Sequence, residues 1–192
     1  HIAKDPSDNN NKILVWDDIR NRLYLSLEQT ADLYRQAARI LTYYYNVESF
    51  EQIFSWHHAA GDFVVKIEHG DLDLKLITVR GYTPLLDNLS DLNNDEKDVE
   101  LILQALLIFF LTLSVRLRLD RFDGVGDIIW ANRLAVKSTL AGFLEGLAQK
   151  PHFAFMPDSI DECFRYYLSV CTKEDLYELS KAAIHTFNRQ AP

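Results

Sequence analysis

The sequence predicts a mainly α fold: a single-domain bundle of about six helices, with one antiparallel β-hairpin near residues 62–80 packed on it. Three observations predict it. Apolar residues recur at helical spacing along most of the chain, Ser-x-x-Gln and Ser-x-x-Glu capping pairs precede several of these runs, and Asp62–Arg80 switches to a period of two. The 192 residues are 48% hydrophobic and 25% charged, which suits one α-rich domain over residues 12–192 with enough chain to bury a core.

Residues 1–11 hold Asp5, Pro6, Ser7, Asp8 and three consecutive Asn, and read as a disordered lead-in, with His1 as a tag remnant. Because His1 comes first and Met156 is the only methionine, the chain is expected to be a processed product or a piece of a longer protein. Lys12–Leu25 places Ile13, Leu14, Trp16, Ile19 and Leu23 near helical spacing. Ser26 and Gln29 then form a capping box for a helix over Leu27–Tyr45, with Ala31, Tyr34, Ala38, Leu41 and Tyr45 along one face. Ser49 and Gln52 repeat the signature for a short helix ending near Trp56.

The hairpin follows from alternation. Centring the turn on His69-Gly70 pairs Ile67 with Leu72, Val65 with Leu74 and Phe63 with Leu76 on one face, and sets Lys66 opposite Asp73. Two strands alone are marginal in water, so this apolar face must pack on helices. Leu101–Val115 is the longest apolar run; at 15 residues it falls short of the ~20 needed to cross a bilayer and reads as a buried central helix. Acids crowd its start and Arg116 and Arg118 its end, as the helix dipole favours, although Val115–Leu119 also alternates like a strand. Ala131–Gln149 resumes helical spacing, and Gly142 and Gly146 allow a close helix contact. Ser159 with Glu162 caps Ile160–Cys171, and Thr172 caps a last helix over Lys173–Arg189.

Composition limits the function classes. A net charge of −8 and a pI near 5.2 argue against a non-specific nucleic-acid binder, and no membrane span is expected. Cys163 and Cys171, if on one helix, stand about 12 Å apart along its axis, past disulfide reach. They read as free thiols of a reducing, cytoplasmic compartment. His69-Gly70-Asp71 resembles the catalytic His-Gly-Asp of the aminoglycoside and choline kinases, and Gly124-Val-Gly-Asp127 a later segment of theirs. Leu76 stands where that family has an Asn, and the hairpin turn accounts for the triplet.

Two loops hold candidate chemistry. Trp56-His-His-Ala-Ala-Gly-Asp62 offers His57, His58 and Asp62 as donors for a divalent metal or for proton transfer near neutral pH. Arg116–Asp127, with Trp130 just beyond, packs three Arg and three Asp into 12 residues. Arginine forks bind carboxylate or phosphate, and clustered carboxylates bind hard cations. The first expectation is a non-catalytic protein-interaction or regulatory domain of a larger protein or assembly, with a protein partner or self-association. The alternative is an anionic-ligand or divalent-metal site, an enzyme in its sharpest form, in which the His57–Asp62 and Arg118–Asp127 loops share one cleft. In it Arg118 and Arg121 clamp the anion beside Trp130, His57 or His58 carries the proton, and Asp62, Asp123 and Asp127 hold the metal.

Overall fold

In the computed structural model, which describes residues 1–16, 22–54, 56, 61–85 and 98–190, paired strands take much of the first half of the chain. Residues 2–4, expected to be part of a disordered lead-in, form strand β1 (Ile2–Lys4) instead. It pairs with β2 (Asn11–Trp16), which pairs in turn with β3 (Arg22–Tyr24), all antiparallel. The turn between β1 and β2 explains the difference. Asp5 accepts from the Ser7 amide at 2.9 Å and from Lys12 Nζ at 2.6 Å, while Asn9 takes a left-handed φ of 63°. Those contacts, Lys12 first, hold the Asp5 carboxyl down to about 2. Polar residues that looked unstructured are the fittings of a tight loop, and Ile2 and Ala3 are buried.

Helix α1 (Leu27–Tyr43) starts at the expected capping box: the Gln29 amide donates to Ser26 Oγ, and Gln29 Oε1 accepts from the Ser26 amide. Among the described residues the short helix expected after Ser49 is replaced by a strand. Phe50, fully buried, adopts φ 59°, and the next residues form β4 (Glu51–Phe54). Burial of Phe50, Gln52 and Ile53 overrides the local capping preference there. The hairpin β5 (Phe63–Glu68) and β6 (Asp71–Leu76) has the register expected, from Phe63↔Leu76 to Ile67↔Leu72, with Lys66 opposite Asp73. His69 and Gly70 both take positive φ, the geometry that suits strand twist in a two-residue turn. Strand β7 (Gly81–Pro84) returns to pair with β4.

The second half is helical, interrupted by one small hairpin. Asp98 caps α2 (Val99–Arg118) by accepting from the Leu101 amide at 2.7 Å. Among the described residues α2 is the one helix long and apolar enough to cross a membrane, and its Ile102, Leu106, Phe109, Phe110 and Leu113 are buried in the core. After α2 come β8 (Leu119–Arg121), a 3₁₀ turn at Phe122–Gly124 and β9 (Ile128–Trp130), followed by α3 (Leu134–Ala148), α4 (Ile160–Val170) and α5 (Lys173–Gln190). Five helices and nine strands in four small antiparallel sheets are described, so the architecture is mixed α/β, in place of a six-helix bundle with one hairpin. Helices α1 and α3 approach so closely that a Cβ on Gly142 would lie 1.9 Å from Arg35 O. An aromatic cluster joins the layers, with Phe143 packed 4.9 Å from Phe164 and Phe109 stacked on Tyr45 at 4.3 Å.

Candidate functional site

A cleft of about 670 Å³ opens between β2 and β5. One wall is Ile13–Trp16 and the other is Phe63–Val65 with Leu74 beneath; Leu33, Tyr34 and Ala37 of α1 and Leu117 of α2 form the floor. Consecutive residues of both strands line it, at different depths. Leu14 is turned inward and buried, whereas Trp16, two residues on along the same face, reaches the rim at 71% exposure. Its indole N–H donates to His1 Nδ1 at 3.1 Å. Val64 and Val125 complete an exposed apolar rim.

The far end of the cleft carries the charge. Asp120 and Asp123 line it, together with Gly124 and Val125. Asp120 is 5% exposed and accepts backbone amides from both sides, those of Ile2 and Arg121. Asp123 is exposed and holds φ 51° directly before Gly124 at φ 79°, a left-handed pair that turns the chain between β8 and β9. Tyr34 on the floor is pushed up from the ordinary phenol value, mainly by burial and then by the Asp120 charge, with Arg118 opposing. Its hydroxyl stays protonated at neutral pH.

The two loops singled out from sequence do border this one cleft, through Gly61 on one side and Asp123 on the other. Most of the side chains expected to act there are placed elsewhere. His57 and His58 lie outside the described residues. Asp62 is buried away from the lining, where Arg80 Nε and Nη2 each donate to its Oδ1 at 3.0 Å. Arg118 donates to Ala131 O at 3.2 Å and lies over the Trp130 ring, 5.4 Å from its centroid. Arg121 reaches Gly126 O at 3.4 Å, and Asp127 closes the same loop by accepting the Phe122 amide on its backbone carbonyl. The lining thus includes Asp123 but not Arg118, Arg121, Trp130, Asp62 or Asp127. Among the described residues no three His, Cys, Asp or Glu side chains are grouped to hold a metal.

Sequence reasoning gave Trp16, Tyr34 and Val64 no part in a site, and counted Asp120 in the Arg116–Asp127 cluster without assigning it a role. The alternation of Ile13, Val15 and their neighbours was the available signal for β2, and a two-stranded hairpin always leaves two edges to be accounted for. One edge of this hairpin is closed by a side chain. Gln36 of α1 donates from Nε2 to Leu72 O at 2.6 Å and accepts the Leu74 amide on Oε1 at 2.9 Å, as a neighbouring strand would. The outward-facing groups of β6 are therefore those of Leu72 and Leu74. Their cross-strand partners are Ile67 and Val65, so antiparallel alternation turns the N–H and C=O of Phe63, Val65 and Ile67 outward on β5. Among the described residues β5 pairs with β6 alone. Comparisons with protein-family models, with curated proteins and with solved structures give no match to this chain.

Proposed function

We propose that the chain is a protein-interaction module that takes a segment of a partner protein into the cleft between β2 and β5. The observation that supports it is the cleft itself: apolar walls, a floor of buried helix residues, and a rim of exposed Trp16, Val64 and Val125. Exposed apolar patches mark association surfaces, and an aromatic anchor such as Trp16 is the kind of residue that carries much of their energy. Selection from a random peptide library against the purified chain tests the reading. The selected peptides should bind with loss of affinity in Trp16→Ala and Val125→Glu, two exposed positions whose replacement leaves the core intact. Equal binding by both variants would overturn the cleft as the site.

A small-ligand or enzyme site is the second reading, favoured by Gly61 and Asp123 both lining a cleft whose size suits a small molecule. The charged groups there are two carboxylates and the His1 ammonium, which faces Asp120; exposed Asp123 suits an amine or other cation better than the anion expected of Arg118 and Arg121. Thermal melting against divalent metals, amines and phosphorylated metabolites distinguishes the readings, because a ligand at 100 times its dissociation constant adds about 2.7 kcal/mol.

A further inference from the structure

Building on the interaction reading, we infer that the partner segment binds as an added β-strand on the edge of β5 and carries a lysine or arginine toward Asp123. Two observations support this, one from the backbone and one from charge. The first is the asymmetry of the hairpin: the Gln36 amide closes the outer edge of β6, while Phe63 and Val65, whose N–H and C=O groups turn outward from β5, are residues of the cleft wall. A strand edge beside an apolar trough is the arrangement that β-strand addition uses, with main-chain hydrogen bonds giving affinity and alternate side chains filling pockets. The side chains available to alternate residues of such a segment are Leu33, Ala37 and Leu117 below and Trp16 and Val125 at the rim. Every second residue of the partner is therefore apolar.

The second observation is the sign of the charge. Asp120 and Asp123 line the cleft together with His1, whose N-terminal ammonium interacts with the Asp120 charge, and neither lysine nor arginine is present in the lining. Asp120 already serves two backbone amides, so exposed Asp123 is the carboxylate within reach of an incoming cation. The chain as a whole carries −8, which favours encounter with a basic partner.

The experiment uses peptides selected from the random library. Expected sequences alternate apolar residues and place Lys or Arg at one end. N-methylation at alternate backbone positions of one parity should weaken binding tenfold or more, and the other parity should tolerate it. Val65→Pro removes an outward N–H without removing a bond to β6, a substitution edge strands accept, and should cause a comparable loss with the circular dichroism unchanged. Asp123→Asn should erase the preference for Lys or Arg and lower the salt dependence of binding. Peptides that need Trp16 and Val125 but tolerate N-methylation at both parities would overturn strand addition and leave the cleft as the site. Peptides indifferent to Trp16 and Val125 would remove the cleft reading, and this inference with it. A concentration-dependent dimer of the chain alone, abolished by Val65→Pro, would make the occupant a second copy and overturn the basic segment.

Discussion

The carboxylate of Asp120 ties the amide of Ile2 to the start of β8 across 118 residues of sequence, with Oδ2 accepting that N–H at 2.8 Å. Its Oδ1 accepts the Arg121 amide at the same distance. The interaction holds β1 against the β8 segment, and Asp120 lines the cleft.

The two amides bind different oxygens of Asp120, one on each side of the carboxylate, and asparagine keeps an oxygen on one side alone. Asp120→Asn turns an NH₂ toward one of these amides and should cost about 1–3 kcal/mol, the range for a buried hydrogen bond left unmade. Urea denaturation measures it. An unchanged midpoint would show that neither bond contributes to stability.

Gln36 supports a second prediction, because it is 7% exposed and serves as a strand substitute for β6. Gln36→Leu leaves the Leu72 carbonyl and the Leu74 amide without that partner and should destabilise by about 2–4 kcal/mol. Gln36→Glu keeps an acceptor for Leu74 but turns a carboxylate toward Leu72 O and the Asp32 carboxylate, which Nε2 contacts at 2.7 Å in the parent. That raises the new carboxyl above its unfolded value. Stability is then fullest below the unfolded glutamate pKa and is lost as pH rises through the folded one. The deficit against wild type should be smaller at pH 4 than at pH 7, and a deficit independent of pH would contradict the geometry.

The hairpin was legible residue by residue because six alternating apolar side chains, a glycine turn and one opposite-charge pair agree on a single register. Helices α1 and α5 were legible for a similar reason, each having a cap that forms and one apolar stripe, whereas the Ser159 hydroxyl expected to cap α4 turns to the Asp161 and Glu162 side chains and makes no cap bond. The segments that misled carry two periods at once. Ile13, Leu14 and Trp16 fit a helix as well as a strand, and what decides is Asp5, whose contacts with Ser7 and Lys12 close the turn before β2. Phe50 shows the same limit, since a buried ring and its left-handed backbone outweigh the Ser49 cap signal. At the site the loops could be found but not the direction of their side chains. Asp62 turns to Arg80 and Arg118 to Trp130, choices made by residues distant in sequence or beyond the motif.

Gly142 and Gly146 set how closely α1 and α3 approach. A Cβ at Gly142 would fall 1.9 Å from Arg35 O, a backbone atom that moves only if the helices part. At Gly146 the nearest atoms are Arg39 O and Thr42 Cβ, both at 2.8 Å. Gly142→Ala should therefore destabilise more than Gly146→Ala, beyond the ~1–3 kcal/mol typical of overpacking. Thermal unfolding of the two variants checks the order, and Gly142→Ala at or above wild-type stability would disprove the close contact.

Lys150 gives the clearest pH signature. Its Nζ donates to Tyr43 O at 3.0 Å and to Tyr45 O at 2.6 Å, just past the end of α1, and burial lowers its pKa to about 8 from the ordinary 10.5. The folded protein therefore releases this proton before the unfolded chain does. Below about pH 8 both states hold it, and the cost of burying the ammonium is fully present. Between 8 and 10.5 the unfolded chain binds more protons, so this group makes stability rise with pH. Lys150→Met loses the two carbonyl contacts, an effect independent of pH, and loses the rise as well. The stability of wild type minus that of Lys150→Met should accordingly stay flat up to pH 8 and climb above it. Paired denaturation curves from pH 6 to 10.5 measure this difference, and a flat difference across the whole range would show that the Lys150 ammonium is as well solvated in the folded chain as in the unfolded one.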